Sequence, residues 1–200
     1  AALGGAYSAA GEGASGVFYN PAGTALADRQ EFEISHNDWL QGLRNENLAY
    51  VRPLSETYTV FGGANLLLSG AMDKYDASGA KTGSFNSQEG AFNLGLSVGL
   101  GGEYYAAAAL KKLYQKADKN SVGAWAGDAG LLKISGDLRF GAAVSNFGSK
   151  IKLGSSAFDL PRILRAGAGK RLNDQFWFLA DVVKAGESKK LSFPVQILAE

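Results

Sequence analysis

The stretch Ala91 to Gly101, AFNLGLSVGLG, sorts its residues by parity. Phe92, Leu94, Leu96, Val98 and Leu100 fall on one side, and Ala91, Asn93, Gly95, Ser97, Gly99 and Gly101 on the other. Successive side chains of a strand point to opposite faces, so the run builds a strand with one large apolar face and one small, polar face. About ten such residues are also what a tilted strand needs to cross a bilayer. A soluble β-sandwich alternates too, but it turns charge outward rather than Leu, Phe and Val. The expected fold class is therefore all-β, an antiparallel transmembrane β-barrel with the first set facing lipid and the second lining the lumen.

Composition agrees where it bears on that choice. Glycine is 27 of 200 residues, alongside Tyr 8 and Phe 11. Such a share, with no collagen period, suits tight turns and crowded small-residue faces. No apolar run is long enough for a membrane-spanning helix, and a mean hydropathy of −0.07 is what a barrel gives when lumen residues offset lipid-facing ones. Lys plus Arg is 20 against Asp plus Glu 19, so no basic surface argues for nucleic acid. The chain has no cysteine, which excludes disulfides and thiolate metal sites, and no cofactor or metal is expected. It opens without a signal peptide, so an export signal has been removed or was not included.

Two regions are expected: an N-terminal segment, 1–27, and a run of strands, 28–200. The first is rich in Ala, Gly and Ser and contains Gly11-Glu12-Gly13-Ala14-Ser15-Gly16, matching G-x-G-x-x-G. A dinucleotide site needs a strand before that motif and a helix opening on it; here small residues precede and Asn20-Pro21 soon interrupts. A closely packed segment is the better reading. Ala168-Gly169-Lys170-Arg171 fails as a phosphate loop, because Leu164 stands where its first Gly belongs and Arg171 where Ser or Thr belongs.

From Glu31 onward strands follow one another: from Glu31, Asn47–Pro53, Thr57–Ser69, Ala91–Gly101, Glu103–Lys116, Ser121–Lys133, Asp137–Phe147, Leu160–Leu172, Gln175–Lys184 and Lys190–Glu200. That makes about ten in an antiparallel meander, with Gly70 to Gly90 as a long polar connection. The Ala-rich part of 103–116 also suits a helix; the hairpin spacing on either side favours a strand, with Lys112 snorkelling on its outward face.

The single His36 excludes sites needing two histidines, and a Ser-His-Asp triad would have to use it. No catalytic residue is assigned; His36 reads as a strand-end residue beside Trp39, which suits an aromatic girdle. Lys111, Asp128, Arg139, Arg165 and Asp181 fall on the lumen parity of consecutive strands. On the lipid face at midplane Lys or Arg would cost about 2–4 kcal/mol; inward they can pair with one another and hold the N-terminal segment.

Several motifs, in order, resemble one family. Leu3-Gly4-Gly5-Ala6-Tyr7 and Val17-Phe18-Tyr19-Asn20-Pro21-Ala22-Gly23 are similar to the N-terminal signature of the FadL-like outer-membrane barrels, especially their PorV/PorQ branch. The likeness runs on through His36, Trp39 and Tyr50 to Pro53. It continues in Asp128-Ala129-Gly130-Leu131, Ser145-Asn146-Phe147-Gly148, Leu160-Pro161, Arg165 to Gly169, Asp181-Val182-Val183-Lys184 and Val195 to Glu200.

The resemblance implies a bacterial outer-membrane barrel of about 14 strands, so this chain would be a fragment, incomplete at its C-terminus. It also implies that the N-terminal segment, with Asn20, Pro21, Ala22 and Gly23, plugs the lumen, either fixed or as a hatch. A PorV-like protein would be an accessory of type IX protein secretion, binding exported cargo proteins and secretion-system components through loops such as Gly70 to Gly90. The wider FadL-like likeness implies a transporter admitting hydrophobic small molecules such as long-chain fatty acids. Phe18, Tyr19, Phe61 and Leu67 would then be candidate apolar contacts. Either way, outer-membrane lipid is the first partner.

Overall fold

The computed structural model describes residues 5–153, 156–173, 176–186, 191–192 and 195–199. Ten elements of the main sheet follow chain order or nearly so: β1 (Glu31–Asp38), β2 (Arg44–Pro53), β3 (Tyr58–Leu68), β6 (Ser87–Gly101) and β7 (Tyr104–Ala117), then β8 (Asn120–Ser135), β9 (Leu138–Gly148), β12 (Ile163–Arg171), β13 (Phe176–Ala185) and β14 (Leu191–Ser192). β15 (Val195–Ala199) also pairs with β13, which brings the antiparallel sheet to eleven strands. Two small hairpins stand off it, β4 (Met72–Tyr75) with β5 (Lys81–Phe85), and β10 (Ile151–Leu153) with β11 (Ser156–Phe158). Among the described residues β1 pairs only with β2, so the sheet has an edge there.

The strand over 103–116 forms, as β7, because the pairing that would be lost in a helix is made on both sides, to β6 and to β8. Of the expected strand Lys190–Glu200, Leu191–Ser192 form β14 and Val195–Ala199 form β15; Lys190, Phe193, Pro194 and Glu200 lie outside the described residues, as do Gln175 and, in the first motif, Leu3 and Gly4. The polar connection Gly70 to Gly90 is shorter than expected, since β6 already begins at Ser87 and the β4–β5 hairpin fills most of the rest. Short turns at 54–57, 102–103 and 136–137 lie at one end; the other end carries both hairpins together with the shorter links 39–43 and 118–119.

Parity decides which face is which. Leu94, Leu96 and Phe140 are 71%, 44% and 49% exposed, and Leu110, Leu131 and Leu164 point the same way. On the opposite face Asn93, Ser97, Ala107, Ala109 and Asp128 are buried, and so are Leu132, Ala143 and Asp181. What covers most of that face is the N-terminal segment. Val17 and Ala22 join Val51, Phe61 and Leu132 in one apolar cluster, while Ala6 packs on Leu179 in another. Completely burying a side chain the size of Phe61 contributes about 1.5–3 kcal/mol, so this contact fixes the segment as well as covering the sheet.

Small residues let the two approach. A Cβ at Gly141 of β9 would overlap the Ser8 carbonyl, and one at Gly130 of β8 would overlap the Asn20 side-chain oxygen. The segment itself holds one helical turn, α1 (Gly13–Gly16), and a 3-10 turn, Pro21–Leu26. Asn20 caps the latter by accepting from the Ala22 N–H at 3.2 Å, with Pro21 at the first position where no donor is needed. Among the described residues no strand precedes the G-x-G-x-x-G run, and α1 is only four residues long.

Candidate functional site

The face covered by the segment carries the chemistry. Asp181 on β13 accepts from the Tyr7 N–H at 3.2 Å, the Ser8 N–H at 3.0 Å and the Ser8 hydroxyl at 2.5 Å. At the far side of the sheet, the Glu31 carboxylate on β1 accepts from the Ala14 N–H at 2.7 Å. Between them Asn20 donates to the Ser8 carbonyl at 2.7 Å and to the Leu131 carbonyl of β8 at 3.0 Å. The Thr24 and Ser97 hydroxyls meet at 2.8 Å, and Asn93 donates to the Val17 carbonyl at 3.3 Å. Segment 5–27 is thus tied from β13 to β1 by its own backbone donors and acceptors, the groups that most need partners when buried.

Of the five charged residues singled out by parity, two meet each other. Lys111 Nζ lies 2.5 Å from Asp128 Oδ2, with side chains only 13% and 6% exposed. Asn146 joins them: its side-chain oxygen accepts from Lys111 at 3.1 Å, and its N–H donates to Asp128 at 2.9 Å. The left-handed backbone at Asn146 (φ 62°) sits beside a register shift between β8 and β9, a conformation Asn adopts more readily than most residues. The other three turn to the N-terminal segment instead. Arg139 pairs with Glu12 and lies 4.6 Å from the Trp177 ring, Arg165 lies 5.5 Å from the Tyr19 ring, and Asp181 takes the bonds given above.

The four apolar candidates are not brought together. Phe61 is packed in the main cluster with Phe18 against it, and Tyr19 stacks on Tyr7 with ring centroids 4.6 Å apart. Leu67 lines a separate recess of about 390 Å³ on the covered face, near the hairpin end, whose walls also include Leu113, Val122, Leu160, Asn65 and Glu89. A larger recess of about 750 Å³, bordered by Leu164 and Lys184, shares Leu160 and Pro161 with it and is lined by none of the five charged residues above.

Sequence reasoning gave no role to Ser8, Thr24 or Glu31, nor to the asparagines of β2 and β3. Glu31 and the asparagines share one signal, a polar residue on the inward parity of a strand, whereas Ser8 and Thr24 lie outside the strands and carry none. Asn65 donates to Asn47, and Asn47 donates to Asn45 at 2.6 Å, so amides run along the inner wall. His36 lies on the exposed face, with ring nitrogens 2.7 Å from Glu46 and 3.1 Å from Asp38. No serine is among its hydrogen-bond partners there. Aromatic residues gather at both ends of that face: Trp39, Tyr114, Trp125 and Phe147 toward the hairpins, Tyr58 and Tyr104 toward the short turns. Lys112 sits 4.7 Å from the Trp125 ring and Lys133 4.1 Å from that of Tyr104.

The fold is similar to that of a solved structure. A Pseudomonas aeruginosa FadL homologue, known from its crystal structure, superposes with a TM-score of 0.63 at 12% identity, over 94% of this chain and 68% of that one. No protein-family model matches the chain, and no curated protein does. The likeness concerns the fold alone.

Proposed function

We propose that this chain forms part of the wall of an outer-membrane β-barrel that admits hydrophobic small molecules, with segment 5–27 as its lumen plug. One observation carries the reading: a single sheet is apolar and uncovered on one face, charged and amide-lined on the other, and the second face is occupied by the chain's own N-terminal segment. Water-soluble sheets bury their apolar face; a sheet in lipid exposes it. The aromatic clusters at both ends of the bare face fit the two girdles at the membrane interfaces. The fold shared with a FadL homologue is compatible with this reading.

The test has two parts. The purified protein should require detergent and migrate differently on a gel before and after boiling. Cells lacking it should lose uptake of a radiolabelled hydrophobic compound, and regain it with the gene restored. The PorV-like reading, an accessory of type IX secretion, is supported by the motifs and by the β4–β5 hairpin as a surface for cargo. Export of cargo proteins lost on deletion, with uptake intact, would decide for secretion.

A further inference from the structure

The recess beside Leu67 combines two chemistries. Leu113, Val122 and Leu160 supply an apolar wall, and Asn45, Asn65 and Gln115 bring amides to its rim. Among the described residues lining it, Glu89 is the one that carries charge, and it accepts from the Gln115 amide at 2.9 Å. Lys111, which reaches the recess through Asn146, is already engaged by Asp128 at 2.5 Å. A volume of about 390 Å³ is within the range of small-molecule sites, about 300–1,000 Å³.

We infer that this recess takes a neutral amphiphile, with an apolar body and a hydrogen-bond-donating head such as an alcohol or primary amide, and rejects carboxylate anions. The inference rests on the uptake reading and narrows it. An ionised Glu89 accepts hydrogen bonds and cannot donate them, so it suits a donor head. A ligand carboxylate would instead meet a like charge, with the nearby ammonium already neutralised, and like charges sharing a site disfavour ionisation of one of them. Amides at the rim can serve either a donor or an acceptor on a neutral head.

The experiment is calorimetric titration of the whole purified protein in detergent with octanamide and with octanoate at pH 8, subtracting the heat of each probe with micelles alone. Octanamide should bind at least tenfold more tightly than octanoate. Glu89→Gln should weaken octanamide binding severalfold, by replacing a charged acceptor with a neutral one, and improve octanoate severalfold, while Ala91→Trp, which fills the recess, should abolish binding of both. Heat-modifiable migration of each variant establishes that it is folded. Octanoate binding as tight as octanamide, with Ala91→Trp abolishing both, overturns the neutral-ligand inference and leaves the uptake reading standing. Binding of neither probe, or binding that survives Ala91→Trp, removes the recess as a ligand site altogether; loss of uptake in the deletion strain still tests the broader reading separately.

Discussion

Ser8 and Asp181, 173 positions apart in the chain, are joined twice: the Ser8 N–H lies 3.0 Å and its hydroxyl 2.5 Å from the same carboxylate oxygen. Asp181 is 3% exposed and sits on the inward parity of β13. Removing it strands donors that the fold has already withdrawn from water. Asp181→Ala should therefore destabilise the attachment of segment 5–27 by about 1–3 kcal/mol, and Asp181→Asn, which keeps an acceptor, by less. Proteolysis of the native protein reads this directly. Cleavage within 5–27 that is no faster in Asp181→Ala would show that the bond does not hold the segment.

A second handle on the same contact is steric. Gly141→Ala places a methyl group where the Ser8 carbonyl now lies. The backbone of either β9 or the segment must move, and overpacking of this kind costs about 1–3 kcal/mol. Gly99→Ala is the control, since its nearest neighbour would be the Tyr105 ring at 3.8 Å. Urea midpoints should fall for the first and stay within error for the second.

The Lys111–Asp128 pair yields a prediction with a built-in rescue. Lys111→Met leaves a buried carboxylate without its cation and should cost about 3–5 kcal/mol. Replacing both, with Lys111→Met and Asp128→Leu, should recover most of that loss, because two matched apolar side chains need no ionic partner. A double variant as unstable as the single one would mean that Asn146, and not the ion pair, organises this corner.

The exposed face makes its own demand. Leu94→Arg near the middle of β6 should cost about 2–4 kcal/mol of folding stability in lipid vesicles if that face meets hydrocarbon. Ser84→Arg, on the exposed β4–β5 hairpin, should cost nothing measurable. Equal midpoints for the two variants in vesicles would exclude the lipid-facing orientation.

Acid acts on the hairpin through Asp118. Its hydrogen bond to the Lys74 ammonium holds that carboxyl below the usual value of 3.8. A lowered folded value means that the link contributes above pH 3.8 and is lost as pH falls through the folded value. Amide exchange in β4 and β5, corrected for the intrinsic effect of pH, should quicken only below that point. Asp118→Asn should show the quickened exchange already at neutral pH.

The wall was readable because a period of two survives substitution: Leu94, Leu110 and Phe140 announce an outward face wherever the chain meanders. The β4–β5 hairpin was not, since nearly all its side chains are exposed on both faces and leave no alternation to detect. Parity also picked out Lys111, Asp128, Arg139, Arg165 and Asp181, because charge among small residues stands out. Which of them meet could not be read, for that depends on the path of segment 5–27. Glu12 reaches Arg139 and Tyr19 reaches Arg165 only once that path is laid down. The Leu67 recess was equally hidden, as its walls come from strands and from a connection far apart in sequence.

Both hairpins rise from the same rim as that recess. Gly79, at the tip of β4–β5 with a left-handed backbone (φ +84°) and no neighbour within 4 Å of where a side chain would begin, offers room for an inserted epitope or a dye. A label there would sit outside the staves of the wall, so its accessibility from either side of an intact cell reports which way round the protein is inserted.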